Sequence, residues 1–485
     1  MDHFFVSRAL VRRHRDWLEG VVPGAADLVV GSGALKDGTP FFVGDDMWPR
    51  EPMCSYFFEL AKHVQAESAQ DYAYDLMGLE DFLGRVMDPP TDLLSATEDD
   101  LVAFRRYRTE DQAVPVGAAT WRRNRVAVNG FYDWAVASGC LEARPHARRR
   151  SGRDALSWGP VADLDVRHLS RRQWVMLHRV GLGGELPDGS VDVRFRGRDR
   201  LRNMAAAELA VTSGMRLREF SSLLDIEVPG PGASRSAVCV PIQAIAKYGF
   251  ARDVFVQYEV LRSLELYRRT ERAVVVAGCG RALERRREEL FVVEEVDLRR
   301  MRLSGRFEGR RRTFAVVAMP AWLRRNTVRQ GARGLEPMAL FVGRGGRMPG
   351  RSRWEQVFAD GARRAAEVAA EWGGAVVMPR QVRIHDTRHT FAVFMLRLLT
   401  EQVVREEGRR RAAGGAGAWL FEHVARAPLL TLQRLLGHRD PATTMKYLRY
   451  LEDVSAIVAA AVQEWTDEDR SFADYAAMAA GRTVA

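Results

Sequence analysis

Residues 144–153, RPHARRRSGR, set arginines among Pro, Gly and Ser and offer a single apolar side chain, Ala147. Such a stretch has nothing to bury and repels itself, so it reads as a linker, and the chain on either side of it has to fold as separate bodies. We therefore expect a boundary there, with residues 1–50 as an N-terminal extension, 51–145 as a helical domain, 146–160 as a basic linker, 161–460 as a larger domain and 461–485 as a tail. The 485 residues leave room for this, at roughly 100–200 residues per domain.

The four cysteines, Cys54, Cys140, Cys239 and Cys279, form no CxxC pair, which argues against a disulfide framework or a thiol-rich zinc site and fits a reducing cytoplasm. The N-terminus, MDHFFVSRALVRRHRDW, lacks a long apolar core followed by small residues, and no uninterrupted apolar run of about 18 residues occurs. Neither secretion nor membrane spanning is expected. The net charge of +10 favours a polyanionic partner such as nucleic acid. Only Lys36, Lys62, Lys247 and Lys446 are lysines among 73 basic residues, which raises the question of what an amine does there that a guanidinium cannot; for Lys36 and Lys62 a solvated surface is the expected answer.

In the first half, Leu76, Leu79, Phe82 and Leu83 fall at helical spacing before Pro89 and Pro90 stop the helix. Thr97, followed by Glu98, Asp99 and Asp100, reads as a capped helix start. In ATWRRNRVAVNGFYDWAV, Val128, Phe131, Tyr132 and Ala135 make an apolar stripe, and Arg122, Arg125 and Asn129 line up along its flank as a basic, amide-bearing ridge. That ridge and Arg148, Arg149 and Arg150 of the linker are candidate phosphate contacts, although a solvated helix face has the same pattern.

In the second half, SAVCVPI and DVFVQY flank a turn at Lys247–Gly249 and read as a hairpin; Val274–Val276 and Phe314–Val317 are further strand candidates. EEGRRRAAGGAGAW (406–419) reads as a flexible insertion between helices. Four motifs then carry chemistry. HDTRHT (385–390) precedes Phe391, Phe394, Met395, Leu398 and Leu399, so Arg388 points along a buried stripe, where a guanidinium needs an anionic partner: an internal carboxylate or a ligand. In LLTLQRLLGHRDPATTMKYLRYLED, Gly437 ends one helix, His438 occupies the turn, and Asp440 and Pro441 start the next. On that helix Thr444, Tyr447, Leu448 and Leu451 share a face, Tyr450 being rotated away, and Tyr447 is either an ordinary core tyrosine or a placed nucleophile. In VTSGMRLREFSSLL, Arg216 stands at a helix start with Glu219 three residues on, as an anion site or a plain surface pair. Lys247 at a hairpin tip is either solvated or a titratable proton donor.

Taken in order, Arg216, Lys247, His385-x-x-Arg388, LGH at 436–438 and Tyr447 nine residues after His438 resemble the tyrosine recombinase (phage integrase) family, and the capped helix at Thr97 and the helix TWRRNRVAVNGFYDWAV (120–136) resemble its core-binding domain. The resemblance implies a mainly α fold with a small antiparallel β-sheet, a helical core-binding domain and a mixed α/β catalytic domain. It implies a site-specific DNA recombinase or integrase that moves a mobile element, with Tyr447 forming a 3′-phosphotyrosyl bond. Arg216 and Arg388 would grip the non-bridging oxygens, Lys247 protonate the leaving oxygen, His385 and His438 assist, and Glu219 support Arg216. The partners it implies are double-stranded recombination sites, a homotetramer on synapsed DNA into which the 461–485 tail docks, and accessory excision or DNA-bending factors; the place is the cytoplasm, at the nucleoid.

No cofactor and no metal are expected, and the chain carries no GxxxxGK[ST] or HExxH motif. One departure is the 49-residue interval between Arg388 and His438, longer than in compact members of the family and coincident with the 406–419 segment. The alternatives are a type IB topoisomerase-like enzyme, a metal-dependent nuclease using His385 and His389, and a non-catalytic DNA-binding relic.

Overall fold

The computed structural model describes residues 2–21, 23, 24, 26, 36–147, 153–160, 166–413 and 427–450. Arg148, Arg149, Arg150, Leu451, the 461–485 tail and the 414–419 part of the expected insertion lie outside the described residues. The chain divides into two compact units, Met1–Leu164 and Asp165–Ala485.

The first unit is a helical bundle of α1 (Met53–Leu60), α2 (Ala66–Arg85), α3 (Glu98–Arg106) and α4 (Ala118–Ala137). Thr97 caps α3 in both directions: its hydroxyl accepts from the Asp100 amide at 3.3 Å, and Asp100 accepts from the Thr97 amide at 2.8 Å. Phe57, Leu76, Leu79, Phe104, Phe131 and Tyr132 close the core. Buried Asp75 on α2 is held by Arg123 Nε at 2.7 Å and Asn124 Nδ2 at 2.6 Å, which locks α2 to α4.

Residues 1–50 are more than an extension. Strand β1 (Asp2–Phe5) pairs antiparallel with β2 (Pro40–Val43), and Phe42 inserts fully into the helical core, 5.3 Å from the Phe57 ring. Part of the expected linker also belongs to this unit: Leu156 is in the core, and Trp121 Nε1 donates to the carbonyls of Leu156 and Trp158 at 3.2 and 2.9 Å. A buried apolar side chain and two anchored carbonyls hold these residues in place, despite the arginines beside them.

The second unit is built around α5 (Arg200–Ser213). Its Ala205, Ala206, Ala207 and Ala210 are all buried, so neighbouring elements pack close against its backbone. After α5 come α6 (Leu217–Phe220), the antiparallel hairpin β3 (Val238–Ile242) and β4 (Arg252–Val256), with a turn at Lys247–Gly249, and α7 (Tyr258–Tyr267). Val240, Ile242, Val254 and Val256 face the core. Val274–Val276, read as a strand, lie in helix α8 (Ala273–Glu284), which continues from α7 through a wide turn, with Val274 in solvent.

A five-stranded sheet then follows: β5 (Phe291–Asp297), β6 (Arg302–Phe307), β7 (Arg310–Ala315), β8 (Thr327–Gly331) and β9 (Gly334–Pro337), in the order β7-β6-β5-β8-β9. Only β5 and β8 are parallel. Of this sheet the sequence betrays one strand, around Phe314. The long helices α9 (Arg351–Glu371) and α10 (Ile384–Ala412), with α11 (Pro428–Leu436) and the short α12 (Ala442–Met445), complete the unit. Helix α10 runs through residues 406–412, where a flexible insertion was expected. Glu, Arg and Ala are good helix formers, and Glu406 pairs with Arg410 at 3.6 Å along the face. Among the described residues no helix is long and apolar enough to cross a membrane.

Candidate active site

Arg388 lies in the first turns of α10, 2% exposed, and its guanidinium joins three segments distant in sequence. Nη1 donates to the carbonyl of Gly214, two residues before Arg216, and Nη2 to that of Leu436, two residues before His438. Among the described residues no carboxylate lies within salt-bridge distance, so the internal ion pair that would have made this an ordinary structural arginine is not there. Burial, and then the charge of Arg216, bring its pKa down to about 9. A cation fixed by two neutral carbonyls keeps its charge available for an anion.

Two glycines make that junction. Gly214 ends α5 at φ +65°, and a Cβ there would come within 2.4 Å of the Phe391 ring; Gly437 ends α11 at φ +61°. Both positions need the left-handed conformation, and the first also needs the missing side chain.

Arg216 caps α6. Its amide donates to Glu219 Oε2 at 2.7 Å, and its Nη1 to Oε1 at 3.1 Å. Glu219 is fully buried and carries a second guanidinium, that of Arg252 on β4, with Nη1 2.9 Å from Oε1 and Nη2 on Oε2. Burial alone would raise the Glu219 carboxyl, but the hydrogen bond and charge of Arg252, followed by the charge of Arg216, hold it below its ordinary value. Arg252 Nε also donates to the Leu435 carbonyl at 3.0 Å. Arg252 thus joins the Arg216 segment to the helix before His438, a link no sequence motif announced.

Tyr447 follows α12 and is 1% exposed. Thr444 is buried beside it; Leu448, expected on the same face, is in solvent, because α12 stops at Met445 and a tighter turn begins. Tyr450 is indeed turned elsewhere, its hydroxyl accepting from the Val166 amide at 2.6 Å. The Tyr447 hydroxyl lies 2.8 Å from His389 Nδ1, and its ring stacks on His438 with centroids 6.4 Å apart and planes 10° from parallel. Burial pushes its pKa up to about 12, against the pull of Arg388 and Arg216. His438 Nδ1 is 2.8 Å from the Thr444 hydroxyl.

The three histidines share one environment. Burial first, and then surrounding charges, take His438 down to about 3 (Arg388, Arg216), His385 to about 4 (Arg388, Lys446, Arg216, Lys247) and His389 to about 2 (His385, Lys446). All three are neutral at pH 7. Lys247, on an exposed turn, is among the charges felt by His385, which places it at the same cluster. Lys446 lies 5.1 Å from the Tyr447 ring centroid, and burial lowers its pKa. The cluster therefore combines excess positive charge, a buried hydroxyl and neutral imidazoles. It can bind an anionic ester and accept a proton from an attacking oxygen.

Arg216, Glu219, Lys247, His385, Arg388, His438 and Tyr447 are thus brought together. Sequence reasoning missed Arg252 and Lys446, and weighed His389 only as a metal ligand. The signal for His389 was its place directly after Arg388 and one helical turn beyond His385. As for that ligand role, the His385 and His389 rings lie 4.5 Å apart, but His389 Nδ1 is taken by Tyr447, and Asp386 turns back to accept from the Arg383 amide at 2.8 Å. Among the described residues no three His, Cys, Asp or Glu side chains group as a metal site.

In the first unit Arg122 is exposed, but Asn129 is not part of a solvent-facing ridge. It is buried, donating to Asp154 Oδ2 at 2.8 Å, with its carbonyl oxygen 2.7 Å from His146 Nε2, because it is the polar group that fixes the returning chain on α4. Arg125 leans toward the same Asp154, at 3.9 Å.

No curated protein matches the sequence. Solved structures similar to it include the XerH site-specific recombinase bound to its difH substrate, 14% identical over 86% of this chain and 84% of that one, with a TM-score of 0.41. Others are the Tn1549 transposon integrase in complex with circular intermediate DNA (13%, 85% and 98%, 0.43) and a lambda integrase dimer bound to a core site (10%, 81% and 92%, 0.41). Residues 55–139 match the family model of the phage integrase N-terminal SAM-like domain. The matched segment runs from within α1 to the end of α4, and so takes in the Thr97 cap and the α2–α4 lock.

Proposed function

We propose that this chain is a site-specific DNA recombinase that cuts and rejoins strands through a 3′-phosphotyrosyl intermediate. The observation that carries the reading is Arg388, a buried guanidinium held by the carbonyls of Gly214 and Leu436, with no carboxylate partner among the described residues and with the Tyr447 hydroxyl nearby. Arg388 and Arg216 take the non-bridging oxygens of a phosphodiester, and Glu219 holds Arg216 in place. Tyr447 Oη attacks phosphorus as the bond to the 5′ oxygen breaks; its proton passes to the imidazole of His389, and Lys247 protonates the leaving oxygen. His438 and His385 donate to the charge that builds on phosphate. A free 5′-hydroxyl of a partner strand reverses the step, so the phosphotyrosine conserves the bond.

The phage integrase N-terminal domain at 55–139 supports DNA as the partner. Two duplex sites, four protomers on a synapse, accessory bending or excision factors and a place at the cytoplasmic nucleoid belong to the same proposal, with residues 51–145 and 161–460 as its DNA-clamping domains. Arg122 and the linker arginines Arg148, Arg149 and Arg150 are proposed phosphate contacts.

The test is to incubate the protein, in chelator, with supercoiled plasmid carrying the DNA that flanks its own gene, and to trap covalent adducts by denaturation. An adduct that is lost in Tyr447→Phe supports the reading. Cleavage that needs added divalent metal and leaves no adduct would overturn it in favour of a nuclease.

A further inference from the structure

Seven of the seventeen residues from Arg299 to Ala315 are arginine, against 69 in the 485 of the whole chain, and the stretch holds one acid, Glu308. The excess is about threefold over the chain's own habit, so general arginine usage does not account for it. Residues 302–315 of this stretch, with five of its arginines, form the β6–β7 hairpin, paired in register from Arg302↔Ala315 to Phe307↔Arg310; Arg299 and Arg300 lie in the turn before it. Its turn is as tight as a hairpin allows, with Glu308 at φ 53° and Gly309 at φ 72°. The product is an edge hairpin about 20 Å long, with β6 paired on its other side to β5, so that only β7 and the turn present a free border.

Placement makes the ribbon accessible. Strand β7 is an edge of the five-stranded sheet, and Arg310, Arg311, Arg312 and Thr313 are all exposed. Because side chains alternate, Arg311 leaves one face of the edge while Arg310 and Arg312 leave the other. Among the described residues Arg310 and Arg312 have no carboxylate within salt-bridge distance. Arg311 and Arg306 reach Glu295 and Glu294 at 3.5 and 3.2 Å in exposed pairs, which are weak and exchange readily for a phosphate. Leu303 lies in the core under the sheet, and Phe307 and Phe314 pack against that core, so they anchor the hairpin from one face.

The base of this sheet is tied beside the candidate active site. The Leu340 amide donates to the Leu223 carbonyl at 2.9 Å, and Leu224 bridges to Ala339, directly after the helix that carries Glu219. Arg272 Nη2 clamps the same segment through the Pro337 and Ala339 carbonyls at 3.1 and 2.8 Å.

We propose that the β6–β7 ribbon is a second contact for duplex DNA, in which Arg310, Arg311 and Arg312 hold backbone phosphates outside the cluster around Arg388. The proposal rests on the DNA reading above, but concerns residues that take no part in the chemistry. Phosphate contacts release counterions, so they appear as a slope of affinity against salt and carry no sequence preference.

The experiment uses the full-length chain and a fluorescently labelled duplex of arbitrary sequence, titrated between about 50 and 200 mM salt. Combining Arg310→Ala, Arg311→Ala and Arg312→Ala should reduce the slope of log affinity against log salt by about 2.7, and each single change by about 0.9. The triple lysine variant should keep the wild-type slope, which separates lost charge from a lost fold. A charge-matched control, Arg235→Ala, Arg262→Ala and Arg269→Ala, removes exposed arginines that pair with Glu259 and Glu265 elsewhere, and should change little. Equal slopes for the wild type and the ribbon triple, or an equal loss in the control, overturn the proposal. Absence of salt-dependent duplex binding by the wild type would instead overturn the DNA reading itself.

Discussion

His389 Nδ1 lies 2.8 Å from the hydroxyl of Tyr447, and both groups are kept neutral, the imidazole by burial and cationic neighbours, the phenol by burial. A phenol with a pKa raised to about 12 is a poor nucleophile unless its proton leaves as it attacks, and this imidazole is the nearest acceptor, made basic enough to take it only when the negative charge of a bound phosphodiester offsets the cations that depress it. His389→Gln keeps the side chain polar but removes the base. Single-turnover formation of the covalent adduct should slow by about 10²–10⁴-fold while duplex affinity holds. Unchanged adduct formation would assign the proton to another group.

Arg252 is expected to be as important to stability as to catalysis. It supplies two of the hydrogen bonds to the buried Glu219 carboxylate and a third to the Leu435 carbonyl. Arg252→Ala leaves that carboxylate with Arg216 alone, a loss of about 3–5 kcal/mol by urea denaturation. Arg252→Lys cannot grip both oxygens and should fall between the two. Adding Glu219→Gln to Arg252→Ala should recover part of the loss, because the uncompensated charge is gone; a strictly additive double variant would argue that the pair is not coupled.

How much of this was legible differs by element. Arg388 could be placed from sequence because Phe391 and Met395 fix the buried side of its helix, and Tyr447 because Pro441 and Gly437 fix where its turn begins. Arg252 could not: in strand β4 it looks like any alternating polar residue, and its partner carboxylate is 33 positions away. The five-stranded sheet was hidden for a related reason. Arginines occupy its alternating positions, and one core-facing position is Gly305, where a Cβ would meet the Val292 carbonyl at 2.1 Å, so the period-two apolar signal is broken. Phe42 joins a core formed by helices beginning at Met53, a long-range contact that no local periodicity encodes.

The three depressed histidines give a pH dependence with a definite sign. An unfolded imidazole titrates near 6.5, whereas those of His385, His389 and His438 titrate at about 4, 2 and 3 in the folded protein. Between pH 6.5 and 4 the unfolded chain therefore binds more protons than the folded one, and stability falls as pH falls through that window. Urea midpoints measured at pH 7, 6 and 5 should decline, and His438→Gln should flatten the decline. A bound phosphodiester supplies negative charge to the same cluster and raises the histidine pKa values, so duplex affinity should increase as the pH is lowered. A stability profile flat from pH 7 to 5 would contradict the neutral, buried state of these rings.

The part assigned to Lys247 can be isolated chemically. It stands on the turn between β3 and β4, and the other amine of the cluster, Lys446, lies against the Tyr447 ring, 5.1 Å from its centroid. If its amine protonates the leaving 5′ oxygen, Lys247→Ala should slow adduct formation by about 10²–10⁴-fold, and Lys247→Arg should rescue little of it although the charge is kept. Replacing the bridging 5′ oxygen of the substrate by sulfur creates a leaving group that departs as a thiolate and needs no proton. On that substrate the Lys247→Ala variant should approach the wild-type rate, whereas His389→Gln, which acts on the attacking oxygen, should remain slow. Equal rescue of both variants would overturn the assignment of His389 to the attacking oxygen, and failure to rescue Lys247→Ala would reduce its role to holding phosphate charge.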